Sequence, residues 1–301
     1  MTADVAPQSP TLAQWVAGAR PRTLPAAVSP VVAASGIAFF EGDFSSWRAL
    51  LAMIVGVSLQ VGVNYANDYS DGIRGTDAVR IGPLRLVGSG LARPRAVKAA
   101  AFTSFAAAAL AGVALVGATQ QWWLLAVGAA AILAAWYYTG GKRPYGYLGL
   151  GEVAVFLFFG LVATCGTGYV QIGRVSLALL LLGVGVGSLA CAILVANNLR
   201  DIEGDRAVGK RTLATRIGDP ASRTLYLLLV IVAALMIIAV AALTSWWALL
   251  GLAGLLLIIP AVRVVISSGQ GRDLIPVLKV TGLAELLASV ALTAGLVIAR
   301  L

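Results

Sequence analysis

The chain has 301 residues, of which 59% are hydrophobic and only 12% charged, and its mean hydropathy is +0.91. Soluble domains carry about 25% charged residues, so this composition excludes an ordinary water-soluble domain and puts the chain in the membrane class. The net charge of +9 reads first as Lys and Arg held on the cytoplasmic side of a membrane, not as a nucleic-acid surface.

Residues 1–19 form a mixed leader with an interfacial helix expected around Trp15. It lacks the basic region and short apolar core of a cleaved signal peptide. Arg20-Pro21-Arg22-Thr23-Leu24-Pro25 then leads into the first of nine apolar spans. These fall at 24–40, 47–69, 96–117, 121–139, 148–171, 176–199, 222–243, 246–266 and 275–299. Each is near the ~20 residues that cross ~30 Å of hydrocarbon. The expectation is an all-α polytopic membrane protein of nine transmembrane helices. No linker or composition shift divides it, so 1–301 reads as one domain. Gly183 and Gly187 in the sixth span have the spacing of close helix packing, and with no strand before it GVGVG is not read as a nucleotide loop.

Orientation follows from the basic residues. With the N-terminus inside, nineteen of the 22 Lys and Arg fall on the cytoplasmic side, and only Arg48, Arg174 and Arg300 fall outside. This predicts a cytoplasmic N-terminus, an external C-terminus and long inner loops after the second and sixth spans. Long loops are where function concentrates.

Both long loops begin with acids. The second span ends in Asn64-Tyr65-Ala66-Asn67-Asp68-Tyr69-Ser70-Asp71, with Asp77 close behind, and the sixth ends in Asn197-Asn198-Leu199-Arg200-Asp201 followed by Asp205. The chain holds only 13 carboxylates, so the clustering is not a product of composition. Residues three or four apart share a helix face. Asn64, Asp68 and Asp71 therefore form a stripe, as do Asn67 and Asp71, and Asn197, Asp201 and Asp205 form another. Converging carboxylates would repel, and a divalent cation relieves the repulsion. Oxygen donors with no nearby His or thiolate favour Mg²⁺, which binds one or two carboxylates together with substrate phosphates. Basic residues in the adjoining loops would meet the remaining phosphate charge. The plainer reading, solvated helix ends carrying ordinary charge, fits a single Asp better than two Asn-led stripes on one side of the membrane.

Histidine is absent, which removes His acid–base catalysis and His–metal sites. Cys165 and Cys191 lie far apart in apolar runs and read as buried thiols. Glu285 sits within a span, where acids are expensive and functionally suspect; a polar helix contact is the equal alternative. Glu152, at the mouth of the fifth span, is expected to pair with Lys142 or Arg143.

NDYSDGIRGTD and NNLRDIEGDRAVGKRTLATRIG resemble the two Asp-rich motifs of the UbiA superfamily of intramembrane prenyltransferases, closest to its 1,4-dihydroxy-2-naphthoate polyprenyltransferase branch. ARPRTLPAAVSPV, RIGPLRLVGSG and YTGGKRPYGYLGLGEV carry the resemblance further, from about Ala19 to Gly218. In the superfamily pattern NDxxDxxxD, the last position is Gly75 here and Asp77 follows two residues later.

The resemblance implies a UbiA-like bundle whose central cavity opens to the cytoplasm and sideways to lipid. It implies transfer of a polyprenyl group from its diphosphate to dihydroxynaphthoate, with loss of CO₂ and diphosphate, giving demethylmenaquinol for menaquinone biosynthesis in a bacterial inner membrane. Two Mg²⁺, with Mn²⁺ as a substitute, would bridge the diphosphate to catalytic Asp68, Asp71, Asp201 and Asp205, assisted by Asn64, Asn67, Asp77 and Asn197. Arg22, Lys142, Arg143, Arg206, Lys210 and Arg211 would bind diphosphate or the acceptor's carboxylate. Arg85 and Ser89 would read the acceptor, and Tyr138 would line the path of the allylic cation. Other acceptors of the superfamily (4-hydroxybenzoate, chlorophyllide, haem, a phosphoribosyl sugar) are alternatives. An ion or solute transporter is the alternative of a different class, although transporters place their sites nearer the bilayer midplane.

Overall fold

The structure is a computed structural model that describes residues 10–75 and 84–301. Among them every regular element is helical. In chain order these are α1 (Leu12–Ala19), α2 (Pro25–Glu41), α3 (Ser46–Arg74), α4 (Pro94–Thr119) and α5 (Leu124–Tyr137). Then follow α6 (Gly151–Ile172), α7 (Leu177–Arg200), the short α8 (Ile202–Ala207), α9 (Leu213–Leu243), α10 (Trp246–Ile266) and α11 (Leu274–Arg300).

Seven of the described helices are long and apolar enough to cross a membrane: α3, α4, α6, α7, α9, α10 and α11 with its leading turn. An eighth arises if α1 and α2, bent by 52° at their junction, count as one span. The expected span 121–139 is shorter than its sequence promised. Residues 121–123 fold into a tight turn in which the Leu124 N–H donates to Gln121 O at 3.0 Å. That leaves 14 helical residues, about 21 Å at 1.5 Å each. The expected helix around Trp15 is α1, capped by the Thr11 side chain.

The centre of the bundle is α7. Of its apolar window 72% is buried, against 28–44% for the other six spans. Small side chains make this possible: Gly183, Gly185, Gly187, Ser188, Ala190 and Ala192 let neighbouring helices approach closely. Where α6 crosses α7, a Cβ on Gly160 would sit 2.6 Å from Gly187 Cα, so the two backbones meet directly. The Gly183–Gly187 spacing has the packing role its sequence predicts. At this crossing α6 widens into a π-helical segment, Phe156–Val162, a distortion frequent at functional sites. The outer helices present Leu110, Leu228 and Leu256 outward, as a lipid-facing surface requires.

A buried arginine acts as a clamp. Arg223 near the start of α9 donates to Asp219 at 2.6 and 2.8 Å and to the carbonyls of Val265 and Gly269 at 2.8 and 2.9 Å, fixing the end of α10. Cys165 and Cys191 are free thiols.

Candidate active site

The chemistry gathers at one end of α3. That helix stops at Gly75, whose φ of 71° lets its N–H reach Asp71 O and Gly72 O in a left-handed cap. The cap explains the departure at position 75: a residue in that conformation closes the helix, so helical spacing of acids ends at Asp71. Asp77 and Arg80, with residues 81–83 of the RIGPLRLVGSG stretch, lie outside the described residues.

On the last turns of α3, Asn64, Asn67 and Asp71 line a cavity of about 560 Å³. Asn197 and Asn198 from the end of α7, Asp205 from α8 and Lys210 beyond it line the same cavity. The two acidic helix ends therefore share one space. Away from them its wall is mostly apolar, with Val31, Leu59, Val127 and Ile132 among the lining side chains. Phe158 and Phe159 from the widened turn of α6 both face it.

Asp71 is engaged by three side chains. The Tyr147 hydroxyl donates to its Oδ1, Lys210 Nζ lies 3.5 Å from the same oxygen, and Arg85 Nη2 lies 3.5 Å from Oδ2. Asp71, Arg85 and Lys210 are buried and Tyr147 is partly buried. Lys210 Nζ also sits 4.6 Å above the Tyr147 ring, and the Arg211 N–H donates to Tyr147 O at 3.0 Å. Tyr147 thus touches both acidic segments, although sequence reasoning did not single it out. The available signal was its place in a short loop that span parity puts on the same side as both clusters. Arg74 donates to the carbonyls of Thr139 and Gly141 and lies 5.5 Å over the Tyr147 ring, tying this loop to α3. Nearby, burial pushes the Tyr145 hydroxyl up to about 12, so it stays a proton donor to Ala134 O at 2.8 Å.

Asp68 has a different setting. It does not line the cavity; its two oxygens accept the N–H groups of Leu86 and Val87 at 2.7 and 3.0 Å. The loop crosses the edge of the expected Asn64–Asp68–Asp71 stripe and takes Asp68 out of it. Asn64 donates to Ala19 O and Thr23 Oγ1 at 2.8 and 2.9 Å, while its oxygen accepts from Gln60 at 3.3 Å. Its amide therefore anchors the α1–α2 junction. Asn67 accepts from Thr139 Oγ1 at 2.7 Å.

In the second cluster, Arg200 donates to both oxygens of Asp201 at 2.7 Å and to Asn197 Oδ1 at 2.9 Å. Of the expected substrate-binding residues, Arg85, Lys210 and Tyr138 line the cavity. Ser89 is exposed and donates to Arg85 O. Arg22, Lys142, Arg143, Arg206 and Arg211 are exposed and stand outside the lining, whereas Arg20, two residues before Arg22, is part of it. Glu152 pairs with neither Lys142 nor Arg143; its Oε1 accepts from Asn198 Nδ2 at 2.9 Å. Glu285 lies elsewhere, fully buried beside a separate cavity of about 20 Å³ between α7, α9 and α11.

Among the described residues no three acidic or thiol groups are arranged to hold an ion by themselves. The lining holds carboxylate and amide side chains, Asn67, Asp71, Asn197 and Asp205, with Arg85 and Lys210 among them. Mg²⁺ takes one or two carboxylates, water and substrate phosphates, so this donor set fits an ion shared with a phosphate ligand.

A helical membrane bundle around a largely apolar cavity, with acids and cations together at one end, is the architecture of an intramembrane transferase for lipid diphosphates. The chain belongs to the UbiA prenyltransferase family, whose profile matches residues 27–278. It is similar to 1,4-dihydroxy-2-naphthoate octaprenyltransferase from Mycobacterium tuberculosis, with 52% identity over 97% of this chain and 99% of the relative. The protein of the same name from Escherichia coli is 35% identical over 95% of this chain and 96% of its own length. Among solved structures, a UbiA homolog from Archaeoglobus fulgidus bound to GPP and Mg²⁺ superposes with a TM-score of 0.66 at 13% identity, covering 95% of this chain and 99% of that one. A homolog from Aeropyrum pernix K1 gives 0.68 at 15% identity, with 92% and 98% covered.

Proposed function

We propose that this protein is a 1,4-dihydroxy-2-naphthoate octaprenyltransferase of menaquinone biosynthesis, working as one domain over residues 1–301. The observation that carries the reading is the shared cavity: Asp71 and Asp205, from segments more than a hundred residues apart, face one space whose remaining wall is apolar. The near full-length similarity to enzymes of that name, at 52% and 35% identity, supports the choice of acceptor and prenyl donor.

In this reading Asn67, Asp71, Asn197 and Asp205, which line the cavity, would hold Mg²⁺ together with Asp77 and with Asp201, which stands outside the lining and is held by Arg200; two ions would bind, for which Mn²⁺ substitutes. When bound, the metal supplies Lewis acidity toward the departing diphosphate. Lys210 and Arg85 bring two positive charges beside Asp71, where the leaving group's charge develops. Tyr147 holds the Asp71 carboxylate in place through its hydroxyl. The C–O bond from prenyl C1 to diphosphate breaks, and the ring carbon bearing the carboxylate forms the new C–C bond. Loss of CO₂ then returns its electron pair to the ring. The apolar wall takes the prenyl chain and keeps water from the cation.

The membrane arrangement we propose has nine crossings, with α5 completing the count as a short span. The N-terminus is cytoplasmic and the C-terminus external, in a bacterial inner membrane. The cavity opens to the cytoplasm for the acceptor and sideways to lipid for the tail. Nineteen of 22 basic residues on one side support this orientation.

The test is transfer of radiolabelled octaprenyl diphosphate by the purified protein in lipid nanodiscs, across a panel of aromatic acceptors. Dihydroxynaphthoate should be prenylated in a Mg²⁺-dependent, EDTA-sensitive reaction that releases CO₂. Preference for another acceptor, or transfer unaffected by chelation, would refute the reading.

A further inference from the structure

Behind the cavity wall lies a buried pair that the proposed reaction does not use. Asn198, at the end of α7, lines the cavity and donates its Nδ2 to Glu152 Oε1 at 2.9 Å. Glu152, on the first turn of α6, is itself 8% exposed and is not part of the lining. Its other oxygen is buried with no hydrogen-bond partner. A carboxylate only accepts, so it fixes which way round the Asn198 amide lies. With Nδ2 held from behind, the acceptor oxygen Oδ1 is the atom left to present to the cavity.

Tyr138 and Phe158 line the cavity too. The Tyr138 hydroxyl and Leu194, one helical turn before Asn198, lie 3.1 and 3.3 Å from the point where a Cβ on Gly151 would be. Aromatic side chains in the lining and an amide oxygen whose orientation is fixed from behind suit a flat ring carrying an O–H donor. They suit a diphosphate poorly, since it brings only acceptors.

We infer that Asn198 Oδ1 accepts a hydrogen bond from a ring hydroxyl of the aromatic acceptor, and that Glu152 is the positioning residue that sets this amide. The inference rests on the proposed reading of the site and deepens it by assigning acceptor selectivity to this pair. A site built to bond a hydroxyl rejects the analogue lacking it, because its polar group is left unpaired.

The experiment measures KM for acceptor and for prenyl diphosphate separately, in nanodiscs. The proteins are wild type, Asn198→Ala, Asn198→Ser, Glu152→Ala and Glu152→Gln, and each is assayed with dihydroxynaphthoate and with its mono-O-methyl ethers. Asn198→Ala should raise KM for dihydroxynaphthoate about tenfold and leave KM for prenyl diphosphate within about twofold, as expected for one lost hydrogen bond. It should also erase the wild type's discrimination against one of the ethers. Glu152→Ala should reproduce the acceptor effect, and Glu152→Gln, whose amide oxygen still accepts from Asn198, should restore it. The ether comparison in the wild type needs no variant to fold, and equal use of both ethers and the parent overturns the inference. So does a shift in prenyl diphosphate KM instead of acceptor KM. A wild type that prenylates no dihydroxynaphthoate removes the functional reading and this inference together; an active wild type with unmoved Asn198 variants removes the inference alone.

Discussion

The two acidic ends look alike in sequence and are built differently. At the end of α3, Asp71 is engaged by Tyr147, Arg85 and Lys210, side chains from three other segments, and Asp68 grips the backbone of the following loop. At the end of α7, Arg200 engages Asp201 and Asn197 from within the same helix turn. The first end is assembled by long-range contacts, whereas the Arg200 contacts in the second are local. Identical residue types therefore have separable duties, and one acid of the first cluster belongs to the scaffold and another to the cavity.

Substitution at Asp71 tests this division most severely. Asp71→Asn keeps the volume but removes the charge beside Lys210 and Arg85, and turnover should fall about 10²-fold or more, as for loss of a group stabilising developing charge. Asp201→Asn should cause a comparable loss, because the two ends serve one substrate. Near-normal turnover in Asp71→Asn, measured with saturating Mg²⁺, would show that the shared cavity is not where the chemistry happens; near-normal turnover in Asp201→Asn would remove Asp201, which stands outside the lining, from the metal set. Asp68→Ala should instead act on the scaffold. It strands the Leu86 and Val87 N–H groups, each bonded to a charged acceptor, at a cost of roughly 2–4 kcal/mol. A lowered melting temperature and faster proteolysis after Leu84 are the expected signs. An unchanged melting temperature with abolished metal dependence would return Asp68 to the cavity set.

Much of this was legible beforehand, and the limits have physical causes. Eight of the nine expected spans coincide with helices that meet the length and apolarity test or belong to the bent α1–α2 pair. The fourth begins later than expected because Gln121-Trp122-Trp123, a polar amide followed by two amphipathic indoles, forms a turn and the helix starts only at Leu124. Asn67, Asp71, Asn197 and Asp205 could be put on one side of the membrane because helical spacing and span parity are properties of sequence. Helical spacing could not tell Asp68 from Asp71, because only the loop crossing at Leu86 distinguishes them. Arg22, Lys142 and Arg143 were plausible by charge alone and prove to be exposed, since a basic residue near an interface has lipid phosphate as an equally good partner. Tyr147 went unnoticed because its importance comes from contacts at separations of 76 residues to Asp71 and 63 to Lys210.

Tyr147→Phe gives a smaller and finer test of the contrast between the ends. The variant keeps the ring under Lys210 and removes only the O–H donated to Asp71. One hydrogen bond to a carboxylate corresponds to about 1.5 kcal/mol, or roughly a tenfold fall in kcat/KM. If Tyr147 acts through Asp71, the loss should vanish in an Asp71→Asn background, because the partner that made the bond valuable is already gone. The same Tyr147→Phe change in an Asp201→Asn background should keep its full tenfold effect. Equal effects in both backgrounds would mean that Tyr147 serves the two ends alike and that the long-range assembly around Asp71 is not special. Exposed Arg22→Ala and Lys142→Ala mark the floor of the scale, with kcat/KM expected within about twofold of wild type, since such surface charges contribute little.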